Sequence, residues 1–252
     1  MDNLEAIYNE IDELNAELKC LRPLPSSAIA KIQDALDIEY TYESNRIEGN
    51  TLTMQETELV VNEGLTIGGK SMREHLEAIN HKEAIDFIRE VASKDVEINR
   101  WLILQIHALV LRGIDRDNAG RFRTVPVLIS GSRHTPPQPY LIDKLFDDFL
   151  SKYNELEAQG AHPIAVAAYL HDELVRIHPF IDGNGRTCRL LMNLYLLRRG
   201  YVIVSLKGDA DSKLAYYKAL EASHIDRDSS QFIELVALAE KESIKRLLDL
   251  LK

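Results

Sequence analysis

The chain has 252 residues, of which 30 are Lys or Arg and 40 are Asp or Glu, giving a formal net charge of −10. That balance argues against non-specific nucleic-acid binding, which calls for a basic face, and no apolar run approaches the ~20 residues of a membrane-spanning helix. At 45% hydrophobic and 28% charged residues the composition is that of a soluble globular domain, and twelve Gly with eight Pro favour long helices over a turn-rich β fold. The first ten residues, MDNLEAIYNE, carry acids and no basic start, so they do not read as a secretory signal. Two cysteines, Cys20 and Cys188, make neither a disulfide framework nor a zinc site and suit a reducing cytoplasm.

Apolar residues recur at Leu4, Ile7, Tyr8, Ile11, Leu14 and Leu18, which predicts an amphipathic helix over residues 1–20. The LRPLP stretch at 21–25 ends it, because Pro cannot continue a helix. The expected organisation is therefore an N-terminal helical appendage over 1–22 and a main domain over 23–252. A second helix is predicted from about 27 to 46, broken by Glu48-Gly49-Asn50. Thr53 with Glu56 forms a capping box that opens a third helix, stopping near Gly64. Further helical patterns cover 72–92, 97–112, 140–157, 163–177, 185–199, 211–223 and 229–251. Pro163 stands where a helix-starting Pro belongs, and Gly113 and Gly200 stand where helices stop. Residues 124–130 differ, being β-branched and apolar. With the Pro-rich stretch 135–139 they predict an edge hairpin lying on the helices as a flap. The expected fold class is all-α, a helical bundle with one small β-hairpin flap.

The densest cluster of chemically capable residues is His178-Pro-Phe-Ile-Asp-Gly-Asn-Gly-Arg-Thr-Cys-Arg189, a loop that runs into an apolar helix. Free N–H groups and the dipole at a helix start attract anions, phosphate above all. Gly183 and Gly185 let a ligand approach the backbone. Arg186 and Arg189, three apart on one helix face, can reach the same polyphosphate. Asp182 is a hard oxygen ligand suited to Mg²⁺ shared with phosphates. His178 can serve as a general base near neutral pH. Each of these residues alone reads as structural; all of them within twelve positions at a helix start read as a site.

Three other patterns compete with this one. Gly64-Leu-Thr-Ile-Gly-Gly-Lys-Ser71 fits the P-loop expression, but no strand pattern precedes it. His171-Asp172 with His162 and His178 could belong to a metal phosphohydrolase, yet His171 and His178 lie two helical turns apart and supply too few ligands. A non-catalytic interaction module could use the N-terminal helix and the flap.

The segment 178–189 resembles the signature HPFx[DE]GNGRxxR of the Fic (filamentation induced by cAMP) family, with His178, Pro179, Phe180, Asp182, Gly183, Asn184, Gly185, Arg186 and Arg189 all in place. Gly120-Arg-Phe-Arg123 with the following flap, Arg73 to His81, and Lys213 to Tyr217 resemble flanking regions of the same family, so the likeness spans about residues 40–240. The resemblance implies transfer of AMP from ATP to a Ser, Thr or Tyr hydroxyl. His178 would take the hydroxyl proton, and Asp182 would hold Mg²⁺. Gly183, Asn184 (backbone and side chain) and Gly185 would cradle phosphates. Arg186 and Arg189 would meet the outer phosphates, and Phe180 would anchor the loop in the core. It also implies that the flap docks the target by its edge, that Leu128, Ile129 and Ser130 line the nucleotide side, and that Tyr216 and Tyr217 lie near adenine or ribose with His224 close by. One of the two tyrosines reads as core.

Glu48 sits at a helix end whose dipole disfavours a carboxylate, which is better explained if it meets a cation. Ser44…Glu48-Gly49 resembles the family's inhibitory [ST]xxxE[GN] motif placed ahead of the catalytic segment. The resemblance implies a self-inhibited enzyme in which Glu48 pairs with Arg189 and fills the space of the γ-phosphate. De-AMPylation and use of another diphosphate-bearing donor remain alternatives. A homodimer is compatible with this class; nucleic acid and membrane are not expected partners.

Overall fold

The computed structural model of the chain describes residues 2–21, 26–94 and 96–251. Ten α-helices stand among them: α1 Asp2–Cys20, α2 Ser26–Ile47, α3 Met54–Glu63, α4 Met72–Ser93, α5 Arg100–Val110, α6 Ile142–Ala158, α7 Pro163–Ile177, α8 Asn184–Arg198, α9 Ala210–Glu221 and α10 Ser230–Leu251. The boundary expected from Pro23 and Pro25 lies outside the described residues.

Local chemistry sets the helix ends. The Thr53 hydroxyl accepts from the Glu56 N–H while the Glu56 carboxylate accepts from the Thr53 N–H, and Gly64 closes α3 in the left-handed region at φ 66°. Ser71 and Glu74 repeat the capping box at the start of α4. The Gly64–Ser71 stretch is thus a helix stop joined to a helix start. Lys70 is turned back onto the Thr51 hydroxyl at 3.0 Å. No strand precedes it, so the P-loop reading falls.

Helix α8 is the axis of the fold. It is buried on every side from Arg186 to Leu196, with α4, α5 and α7 packed around it. Its apolar run from Leu190 to Leu196 is explained by such enclosure, and the polar residues buried with it, Arg186, Thr187, Arg189 and Asn193, need partners inside the fold. The expected stripe of α1, Ile7, Ile11 and Leu18, is buried in the same core, and α1 lies along α10. Helix α2 presents a different underside: Asp37, Thr41, Glu43, Ser44 and Asn45 are all buried there beside Ile38, Tyr40 and Ile47. Polar burial of that kind needs partners, and one of them is the active-site arginine described below.

The predicted hairpin is not formed. Residues 124–138 run as irregular coil with a turn at Ser130–Gly131, a 3₁₀ turn follows at Pro139–Leu141, and no strand occurs among the described residues. Pro126, Pro136, Pro137 and Pro139 remove the N–H groups a ladder needs. The carbonyls of Val125 and Pro137 instead accept from the Arg123 guanidinium at 3.0 and 2.6 Å. One side chain thus does the work of the missing ladder.

After α8 the chain runs extended over 201–208. The Asn193 side chain imitates a strand partner there, donating to Val204 O at 2.9 Å and accepting from Val204 N at 2.8 Å. Glu240 of α10 accepts from Val202 N at 3.0 Å, and its second carboxyl oxygen is buried without a partner. Burial pushes this carboxyl up to about 8 from an ordinary 4.5, the Val202 hydrogen bond offsetting only part of the rise. The folded state therefore holds a proton that the unfolded state releases, and stability falls as pH rises through that window. Glu240→Gln should match wild type in denaturant titrations at pH 4.5 and exceed it by roughly 2–4 kcal/mol at pH 8. An equal gain at both pH values would contradict the assignment.

Candidate active site

Helix α7 ends where His178 adopts a left-handed conformation at φ 49°, its N–H bonded to Leu174 O. A bulky residue held there signals a conformation imposed by its surroundings. Three side chains impose it. Asn184, the first residue of α8, clasps Phe180, its Oδ1 accepting from Phe180 N and its Nδ2 donating to Phe180 O, both at 3.0 Å. The Asn184 amide is thereby engaged with the loop backbone through Oδ1 and one of its two N–H groups. Phe180 is fully buried, as expected, and stacks on the His107 ring at 3.6 Å between centroids.

His107 and Arg123 complete the clamp, and sequence reasoning missed both roles. His107 Nδ1 accepts from Gly120 N at 3.0 Å, which fixes the proton on Nε2, and Nε2 donates to Asp182 O at 2.9 Å. Burial pushes His107 down to about 4, so it works as a neutral bridge. Arg123 donates through its N–H to Pro179 O and through Nε to His178 O, at 2.9 and 2.8 Å, with the same guanidinium that ties the flap. Neither role leaves a trace in the local pattern: His107 stands in an apolar helix and Arg123 beside Arg121 and Thr124.

His178 itself is largely enclosed. Burial pushes it down to about 4, and nearby Arg123 adds to this. A neutral imidazole at pH 7 is the form a general base requires.

At the start of α8, the Glu48 carboxylate lies against Gly185 and Arg189. Its Oε1 lies so close to Gly185 that a Cβ there would fall 2.2 Å away. The same oxygen accepts from Arg189 Nη2 at 2.7 Å. Arg189 is buried to 1% side-chain exposure and also donates to Ser44, from Nε to the hydroxyl and from Nη2 to the carbonyl, both at 2.9 Å, and from Nη1 to Tyr216 OH at 3.4 Å. Burial pushes the Glu48 carboxyl up, but the Arg189 and Arg186 charges outweigh it and hold it below the usual carboxylate range. Burial likewise opposes the Arg189 charge, and Glu48 more than restores it. A third of the Glu48 side chain stays exposed.

Asp182 and Arg186 close a ring of alternating charge with Arg73 and Glu77. Arg73 Nη2 pairs with Asp182 Oδ2, and Arg73 Nε with Glu77 Oε1 at 3.1 Å. Arg186 reaches Glu77 at 3.3 Å and Asp182 at 3.4 Å. Burial raises the Asp182 carboxyl, but Arg186, the Gly183 N–H and Arg73 together hold it low. Arg186 Nε and Nη1 are buried without a hydrogen bond, Nη1 facing Glu77 across the ion pair.

No cluster of three His, Cys, Asp or Glu suited to a metal exists among the described residues. His171 is a core residue bonded to Tyr216 OH at 3.1 Å, and His162 caps α7 and stacks on Tyr8. The phosphohydrolase reading has no ligand set. A single carboxylate such as Asp182 does fit Mg²⁺, which keeps several waters and takes the rest of its shell from substrate phosphates.

The remaining expected residues are scattered. Leu128, 85% exposed, Ile129 and Ser130 sit at the flap tip with no hydrogen bond or ion pair to residues 178–189 among the described residues. Tyr216 is the core tyrosine, lying behind Arg189 instead of lining open space, whereas Tyr217 is exposed and donates to Ile47 O at 3.3 Å. His224 Nε2 and the Ser223 hydroxyl both bond the Asp172 carboxylate. The π-helical turn Ala222–Asp226 that places them was not predicted.

Residues 97–196 match the sequence pattern of the Fic/DOC family. The protein adenylyltransferase Fic of Drosophila persimilis is 36% identical over 84% of this chain and 41% of its own length, and the protein adenylyltransferase fic-1 of Caenorhabditis elegans is 35% identical over 90% and 44%. The chain thus spans less than half the length of these curated relatives. A crystallised segment of C. elegans Fic-1 superposes with a TM-score of 0.87 at 32% identity, covering 98% of this chain and 72% of that one. A Fic-domain signaling protein from Bacteroides thetaiotaomicron gives 0.86 at 27% identity, covering 96% of each chain. Loop, clamp and anion seat lie on a fold shared along nearly the whole length, and the chain belongs to the Fic/DOC family.

Proposed function

We propose that the protein is an adenylyltransferase, moving AMP from ATP to a Ser, Thr or Tyr hydroxyl of a protein, and that Glu48 holds it in a self-inhibited state. The observation that carries this reading is the Glu48 carboxylate lying against Gly185 and Arg189, where the anion seat of α8 would receive a phosphate. An acidic side chain there replaces one anion with another at the same helix dipole.

In the transfer, neutral His178 accepts the proton of the target hydroxyl as its oxygen bonds to the α-phosphorus. The bond to the bridging oxygen breaks, and pyrophosphate leaves. Backbone N–H groups of Asn184 and Gly185 receive phosphate oxygens, and Arg186 and Arg189 balance charge on the leaving group. Positioning and charge supply most of the acceleration in such chemistry. Mg²⁺ on Asp182 would neutralise phosphate charge. While Glu48 occupies Arg189, the outer phosphate cannot settle, and the α-phosphorus is not presented in line to the hydroxyl.

The ionised, partly exposed Glu48 carboxylate supports a second reading. It can orient a water, which favours removal of AMP from a modified protein as a companion activity. Exposed Leu59, Leu65 and Met72 around α3 and the start of α4 support a homodimer, and the free thiols Cys20 and Cys188 support a reducing, cytoplasmic setting. Target docking belongs to the flap in this reading, held to α9 by Arg133 on Glu221 at 2.9 Å.

Glu48→Gly should label itself with AMP from labelled ATP at least about tenfold more than wild type, the population shift expected from removing the ion pair. Adding His178→Ala should lower that labelling by roughly 10²-fold or more. Labelling by Glu48→Gly at the wild-type level would defeat the self-inhibition. The pH profile of the Glu48→Gly protein gives a further test. A base works unprotonated, so labelling should decline only as pH drops through about 4, not through the ordinary 6.5 of histidine. A midpoint near 6.5 would mean that His178 is solvated in the working state.

A further inference from the structure

The charge ring around Asp182 has a geometry that the Glu48 brake does not explain. Both Asp182 oxygens are engaged. Oδ1 accepts from Gly183 N at 2.6 Å and faces Arg186 at 3.4 Å, and Oδ2 is taken by Arg73. Arg73 comes from α4, a helix remote in sequence from the loop, and its guanidinium is aimed by Glu77 one turn further along. Glu77 is in turn held by Asn50, whose Nδ2 donates to Glu77 Oε2 and to Glu74 O, both at 3.0 Å. Asn50 stands two residues after Glu48. The segment that delivers the carboxylate to Arg189 therefore also fastens the acid that aims Arg73 at Asp182.

A divalent cation on Asp182 needs a carboxylate oxygen at about 2.1 Å, and here both oxygens are already engaged, one of them by the Arg73 guanidinium, so cation and guanidinium compete for the same carboxylate. Two cations on one carboxylate repel over a few ångströms, and in a partly buried site that repulsion is several times its value in water. Arg73 is nevertheless 55% exposed, so its head can swing into solvent without unfolding anything.

We propose that Arg73 is the resident counter-ion of Asp182, a latch on the cation seat that a divalent metal must displace before the site is loaded. This rests on the reading of Asp182 as that seat. In this account the protein carries two closures. Glu48 fills the phosphate position and Arg73 fills the metal position, and Asn50 with Glu77 joins them. Each closure supplies the charge of the group it excludes, a carboxylate for phosphate and a guanidinium for a divalent cation. The empty site therefore never leaves Asp182 or Arg189 as an uncompensated charge.

The test is Mn²⁺ binding to the full chain without nucleotide, read from the loss of the free Mn²⁺ electron paramagnetic resonance signal. Arg73→Gln should bind Mn²⁺ about tenfold more tightly than wild type, the change expected from removing one competing charge at an intermediate dielectric. Arg73→Lys, which keeps a cation on α4, should stay within about twofold of wild type. Adding Asp182→Ala to Arg73→Gln should erase the gain. If Arg73→Gln binds no more tightly while Asp182→Ala weakens binding, the latch is wrong and the Asp182 seat stands. If Asp182→Ala changes nothing in either background, the seat itself is wrong and the latch falls with it. A gain that survives in the double variant would place Mn²⁺ elsewhere and overturn the proposal. Thermal melts of each variant separate these outcomes from misfolding.

Discussion

A guanidinium with 1% of its side chain exposed sits at the centre of this protein. Burying a charge costs several kcal/mol unless acceptors surround it, and Arg189 meets that demand by drawing the end of α2 down onto α8. Ser44 gives two acceptors, Glu48 gives the counter-charge, and Tyr216 closes the far side. The polar underside of α2 follows from the same need. An apolar α2 would bury more oil but would leave Arg189 unpaired. The contact is thus the solvation shell of a buried cation, and in the proposed function it is also the brake, which a nucleotide phosphate supplying an equivalent anion would replace.

Around this pair the rest of the site is rigid. His178 is held in a left-handed turn because Asn184, His107 and Arg123 each fix a backbone group of the loop that follows it. The clamp ties its polar atoms to the loop backbone, Asn184 through both ends of its amide. The Gly183 N–H is taken by Asp182 and Arg186 is paired with Glu77 and Asp182, which leaves the backbone N–H groups of Asn184 and Gly185 at the start of α8. Arg123 belongs to two structures at once, since its guanidinium holds both the catalytic loop and the two arms of the flap. A shift of the flap therefore bears directly on the carbonyl of His178.

Much of this was legible in the sequence where the signal is local. Thr53 with Glu56, Pro163 and Gly64 mark helix ends through chemistry confined to a few residues, and the helices begin and end within about three residues of the pattern. The motif from His178 to Arg189 is equally compact, and the placement of Glu48 against a helix dipole pointed to a distant cation. The flap misled because β-branched residues at 124–130 read as a strand, whereas the prolines and the long-range demand of Arg123 for carbonyls decided the backbone. Arg73 on Asp182, His107 under Phe180 and Tyr216 behind Arg189 were invisible for one reason. Each joins residues from separate elements, a helix with the 178–183 loop or with another helix, and nothing in the spacing of one element records which side chain of another it meets.

The central claim is that Glu48 stands in the place of an outer phosphate, and nucleotides of different length test it most directly. AMP lacks the outer phosphates and should be indifferent to Glu48, whereas ATP must compete with it. Calorimetric titration of both nucleotides into wild type and Glu48→Gly should show ATP binding about tenfold more tightly to the variant, with AMP within about twofold. If the two nucleotides gain equally, or neither gains, Glu48 does not occupy a phosphate position.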